Sequence, residues 1–223
     1  MTSTTGAVSH GRWIWRVERS IHLPSERTIQ RAVLPHHWLV TFFNHYYLIA
    51  HYAGLLLCLT WAFIFHRSMY RWCRRMLVIA TALLTVPFQS IPVAPPRLLP
   101  ELGLVDTAHA GLSDALSLGL HNPGQLTAMP SVHVAWAVLV AVLIIGLATS
   151  PWRWLAVVYP ALTMMAVVTT GNHFWADGIV GAAVVAISVL LDRLVRRTRF
   201  GSVTKEVVLA PSSPLDGSVV GVE

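Results

Sequence analysis

Charge is what this 223-residue chain has least of. Asp, Glu, Lys and Arg together make up 12% of it, against 55% hydrophobic residues. Soluble domains carry about 25% charged residues, so water is a poor solvent for most of this surface. Acidic residues are the scarcest, ten against 16 basic ones, and the net charge is +6. Lysine is almost missing: Lys205 stands alone among arginines. A basic chain raises nucleic acid as a partner. These arginines, however, flank apolar stretches and form no basic patch interleaved with aromatics, so juxtamembrane anchoring accounts for them and no nucleic-acid partner is expected. Cysteine is scarce too. Cys58 lies in an apolar stretch and Cys73 among arginines, which gives neither a disulfide framework nor metal-ligand spacing. With no H-E-x-x-H pattern and no carboxylate cluster, neither a metal nor another cofactor is expected. A cleavable leader is not expected either, because the first 37 residues hold five Arg and no continuous apolar core.

What the chain does have is long apolar runs. Segments 38–65, 76–93, 132–148, 152–170 and 175–191 approach the roughly 20 residues that cross a bilayer as a helix. They predict an all-α, polytopic membrane helical bundle of five or six transmembrane helices, the sixth drawn from the N-terminal arm. Residues 1–37 read as a basic arm. Its first 11 residues are expected to be disordered, and 12–33 to form an interfacial helix with Arg12, Arg16 and Arg19 interleaved with Trp13, Trp15 and Val17. Residues 38–197 form the membrane-embedded domain, with a loop at 66–75, and 198–223 a flexible tail. The 94–130 connection is long enough that function is the expected reason for it.

Counting crossings puts the 94–130 connection and the turn before residue 175 on one side. The opposite side collects Arg67, Arg71, Arg74, Arg75, Arg153, Arg193, Arg196, Arg197, Arg199 and Lys205. The motif side has Arg97 and the five arginines of the arm. The positive-inside rule then places the motifs on the extracytoplasmic face of a plasma or inner membrane.

Two motifs carry chemistry. In Met-Pro-Ser-Val-His, residues 129–133, Pro130 and Ser131 are helix-start residues. The free N–H groups of that first turn make an anion site, with His133 beside it. In Gly-Asn-His-Phe-Trp-Ala-Asp-Gly, residues 171–178, Asn172 is a candidate cap for the helix that follows. His173 and Asp177 are four apart, so a carboxylate can orient an imidazole. Gly178 and Gly181 permit close helix packing. Arg97, in a Pro-rich stretch, can hold phosphate oxygens in bidentate fashion. Asp106, Asp114, Asn122 and Gln125, with Asn172, are candidates for substrate binding at headgroup hydroxyls. His45, His51, His66, His109 and His121 are read as ordinary polar residues.

Pro-Ser-x-His followed about 40 residues later by His-x-x-x-Asp, behind an Arg-Pro-rich segment, resembles the type 2 phosphatidic acid phosphatase superfamily over roughly residues 75–192. The resemblance implies that His173 attacks phosphorus and becomes a phosphohistidine, supported by Asp177, while His133 protonates the leaving group. It also implies that Arg97, Ser131 and the 131–133 backbone hold phosphate, and that no metal is needed. The pattern departs from the phosphatases at two cations. Their Lys seven residues before the first-motif Arg is Ser90 here, and their Arg six residues before the third-motif His is Val167. The pattern is closer to the inositol phosphorylceramide synthase and sphingomyelin synthase branch, which transfers a phospho-headgroup to a lipid alcohol.

The expected function is therefore that of a lipid phosphate phosphatase or lipid phosphotransferase, with a lipid phosphate as substrate and membrane lipids as surroundings. The alternative is a non-catalytic membrane transporter or lipid-binding protein on the same fold. Lipid, acceptor and oligomeric state stay open.

Overall fold

The structure, a computed structural model, describes residues 4–107 and 128–209. Among these residues seven α-helices follow in order: α1 (Thr4–Ser20), α2 (Glu26–Val33), α3 (His37–Phe65), α4 (Arg67–Ser90), α5 (Val132–Leu147), α6 (Val158–Thr169) and α7 (Trp175–Leu209). Short 3₁₀ segments at Pro96–Leu98 and Pro100–Leu102 follow α4, and another at Pro151–Val157 leads into α6. No strand occurs among the described residues. The chain divides into two compact units, 1–188 and 189–223. In the second, α7 continues as helix, with Arg196 Nε 2.9 Å from Asp192 Oδ2.

Among the described residues, three helical stretches are long and apolar enough to cross a membrane: His37–Phe65, Pro151–Thr169 and Trp175–Arg196, with mean hydropathies of 1.9, 1.3 and 2.1. Their apolar side chains largely face outward. On α3, Leu56, Leu57 and Phe65 are each about two-thirds exposed, and Leu155, Val158 and Leu190 repeat the pattern later in the chain. Exposed apolar side chains in this number are at home in lipid rather than water. Helix α5 behaves differently. It is apolar all round, as a fully surrounded helix should be, and it packs against α3, α4 and α6. Its Ala135, Ala137, Leu139 and Leu143 are completely buried. At 16 residues it spans about 24 Å, which makes it the central post of the bundle.

The structure corrects the sequence reading in four places. The arginine-rich stretch at 66–75 is not a loop: α4 begins at Arg67, one residue after α3 ends. Residues 4–11 are helical as the first half of α1. Ala7 and Ile14 pack there with Val93, Ala94, Leu99, Leu102, Ala128 and Phe174, so apolar contact with the segment after α4 orders what composition alone reads as loose. Residues 198–209, expected as tail, continue α7. The arm itself is two helices rather than one. They are separated at Ile21–Ser25, where Pro24 lacks an N–H and His22 adopts a left-handed φ of 61°.

Candidate active site

The site forms where α5 and α7 begin, and the backbone joins the two starts directly. Ser131 donates its N–H to the Asp177 carbonyl at 3.0 Å. Its own carbonyl lies where a β-carbon on Gly181 would approach to 2.7 Å, so only glycine permits this closeness. Ser131 is the N-cap of α5, its hydroxyl accepting the Val134 N–H at 3.4 Å, as the sequence predicts. The first turn of α5 therefore carries unpaired N–H groups and a positive dipole end next to α7.

The turn into α7 is built from the end of α6. Gly171, at φ 68°, follows the Thr170 C-cap. Its N–H donates to Val168 O, and the Asn172 N–H donates to Val167 O. This closing pattern needs the left-handed conformation glycine supplies. A β-carbon at Gly171 would also lie 3.3 Å from Arg97 Cβ. Gly171→Ala is expected to cost about 1–2 kcal/mol from backbone strain alone, readable as a lowered Tm in thermal unfolding of the detergent-solubilised protein.

His173 precedes α7 by two residues rather than lying on its face. Asp177 reaches back: Oδ2 accepts the Phe174 N–H at 2.9 Å and lies 3.3 Å from His173 Nδ1. The carboxylate thus caps the helix in the manner of a capping-box acid and contacts the imidazole at the same time. Asn172, the expected cap, does something else. Its Oδ1 accepts from Arg97 Nη1, and its Nδ2 donates to Thr170 Oγ1. His173 Nδ1 also lies 2.8 Å from the Ala128 carbonyl oxygen. Both neighbours of Nδ1 are acceptors, so Nδ1 bears a hydrogen, and in the neutral ring the lone pair is the one on Nε2. Asp177 is fully buried and His173 nearly so.

His133, in the first turn of α5, brings its ring centroid to 5.6 Å from that of His173. Two residues of α3 hold it. Tyr47 stacks on the ring at 4.4 Å, and His51 meets it at 4.2 Å while its own Nδ1 donates to Tyr47 O at 3.1 Å. Sequence reasoning missed both. For His51 alone there was a signal, since a histidine within an apolar span defaults to a functional reading.

Arg97 is placed by the 3₁₀ turn after α4 and by its N–H bond to Gly171 O at 3.0 Å. Besides Asn172, its guanidinium faces Asp106, with Nε 3.2 Å from Oδ2. Asp106, expected at a headgroup hydroxyl, is therefore paired with the arginine. A guanidinium has five donors, and these partners leave some for phosphate oxygens. Gln125, Asp114, Asn122, His109 and His121 lie outside the described residues, as does the side chain of Ser90. Among the described residues no group of His, Cys, Asp and Glu is arranged to hold a metal.

The arm covers this end of the bundle. Gln30 donates from Nε2 to Thr169 O and Val105 O and accepts the Val105 N–H, at 2.8–2.9 Å. Trp175 Nε1 donates to Pro24 O at 2.9 Å. The family comparison includes most of this arm. A family model described as the PAP2 superfamily matches residues 12–191. No curated protein and no solved structure matches the chain. The match covers well over half of the chain and holds both histidine motifs in order, so the chain belongs to the PAP2 superfamily.

Proposed function

We propose that the protein is a membrane lipid phosphatase or lipid phosphotransferase that works through a phosphohistidine on His173. One observation carries this reading. The protonated Nδ1 of His173 is held by two acceptors, so Nε2 presents its lone pair, while a second imidazole, His133, stands 5.6 Å away. In the first step, Nε2 attacks phosphorus and the bond from phosphorus to the leaving oxygen breaks. His133 gives that oxygen a proton. In the second step, water or an alcohol returns a proton to His133 as its oxygen takes the phosphoryl group from nitrogen. Arg97 and the first-turn N–H groups of α5 neutralise charge on the non-bridging oxygens.

A lipid substrate is favoured by an apolar groove of about 390 Å³, lined by Gly54, Leu57, Cys58 and Trp61 of α3, Val140 and Ile144 of α5, and Tyr159 of α6. Gly54 is one turn beyond His51 on α3, and Val140 is two turns beyond His133 on α5. An acyl or isoprenoid chain in the groove has its polar end at the histidines. The transferase branch is favoured by the residues at 90 and 167. Ser90 and Val167 leave Arg97 as the family cation at hand, which suits a phosphodiester better than a doubly charged monoester. In the membrane, α4 and α5 complete five spans with the three apolar stretches, and the arginine distribution favours an extracytoplasmic site.

The test supplies a phosphate-labelled lipid to the protein in nanodiscs, with and without lipid alcohols. A labelled lipid product that depends on the alcohol is expected. Free phosphate as the sole product overturns the transferase branch. Neither product, together with no labelled His173 adduct, overturns the enzyme reading in favour of transport or lipid binding.

A further inference from the structure

Two carboxyls of the arm are buried beside the site, and the proposed chemistry uses neither. Glu18 of α1 and Glu26, the first residue of α2, are each 1% exposed. Glu18 Oε1 accepts the Ala176 N–H, in the first turn of α7, at 2.7 Å. Glu18 and Glu26 face one shared cation, the Arg19 guanidinium, from two sides. Glu18 Oε2 and Glu26 Oε1 have no donor from any described residue. Two carboxyls buried this close together favour holding one proton over carrying a second negative charge. One cation is at hand: Arg19 Nη2 lies 3.4 Å from Glu26 Oε2 and 3.8 Å from Glu18 Oε2. From α7, Asp177 faces the pair with a further negative charge.

The result is a clasp. The first three residues of α7 are each engaged: Trp175 by Pro24 O, Ala176 by Glu18, and Asp177 by Phe174 N–H and His173. A negative or proton-sharing group at a helix N-terminus is well placed by the helix dipole. We propose that Glu18 and Glu26 are positioning residues that share one proton and clasp the arm to the amino end of α7, holding Asp177 and His173 in register. That His173 is the reacting group rests on the function proposed above, whereas the clasp itself does not.

The pH dependence has a definite sign. Burial first, then the neighbouring Glu26 carboxyl, pushes the Glu18 carboxyl up from 4.5 to about 9. A folded-state value above the free one means that docking binds a proton. Docking is fully favoured below about 4.5 and loses strength as pH rises towards 9. Within that window the undocked population grows by up to about tenfold per pH unit.

The experiment uses the full chain in nanodiscs, with limited trypsin cleavage at Arg19 and Arg27 normalised to an unstructured reference peptide at each pH. Cleavage of the wild type is expected to be at least about tenfold faster at pH 9 than at pH 7, because cleavage follows the open population. Glu18→Gln keeps an acceptor for Ala176 and needs no proton, so its cleavage should be slow and unchanged between the two pH values. Glu18→Ala should be cut rapidly at both. If Glu18→Gln keeps the wild-type pH dependence, or Glu18→Ala is as resistant as wild type at pH 7, the clasp is wrong. Any lipid turnover should follow the same pattern, with the alkaline loss of the wild type absent in Glu18→Gln. Failure of the proposed function removes the turnover readout and leaves the cleavage result to decide the clasp.

Discussion

His173→Asn is expected to lower lipid-phosphate turnover by at least about 10³-fold, the scale seen when an attacking side chain is removed from an enzyme. The loss should be confined to chemistry. Asn retains a donor for Ala128 O, and the Asp177 bond to Phe174 N–H still caps α7, so the fold has no reason to fail. Initial rates with labelled lipid phosphate in nanodiscs, beside circular dichroism and a melting curve, make the measurement. Near-wild-type turnover in a folded His173→Asn protein sinks the phosphohistidine mechanism.

The second large effect concerns His133. If it delivers the proton to the departing oxygen, His133→Gln should slow turnover by about 10²–10⁴-fold, the usual worth of a positioned acid. Glutamine fills much of the space between Tyr47 and His51 but does not transfer a proton. The decisive comparison is between leaving groups. A phosphate ester that departs as a stable phenolate needs no acid, so His133→Gln should lose far less rate with it than with an alkyl lipid ester. Equal losses on both substrates would assign His133 to structure or phosphate binding instead.

Much of this site was legible from single residues. Ser131 declared a helix start through its capping chemistry, and the hydroxyl does cap Val134. The His173–Asp177 spacing declared a pair, although the pair forms across a helix start, with His173 outside α7, rather than along a helical face. Arg67, Arg71, Arg74 and Arg75 read as a loop because charge was weighted above period. Their spacing of four and three is helical, and α4 indeed begins at Arg67. Tyr47 and His51 were harder to place, because a 29-residue apolar helix does not say which of its polar residues turns inward. Asn172 and Asp106 were assigned to substrate, whereas the structure pairs them with Arg97 across 75 and nine positions of sequence, separations that no local pattern encodes. The arm escaped for a similar reason. Glu18 and Glu26 look like solvated charges in a basic stretch until the first turn of α7 is folded against them.

The Ala128 carbonyl beside His173 Nδ1 sets a limit on what mutagenesis can reveal about Asp177. Holding the imidazole proton on Nδ1 is a duty performed twice, once by a carboxylate and once by the main chain, and no substitution at position 128 takes a carbonyl away. Orientation of the ring is therefore redundant, and in the proposed mechanism what Asp177 adds, besides its cap on the Phe174 N–H, is a negative charge facing nitrogen as it becomes cationic on bonding to phosphorus. On that mechanism, natural variation at residue 177 would be constrained by charge as well as by the length needed to reach the Phe174 N–H.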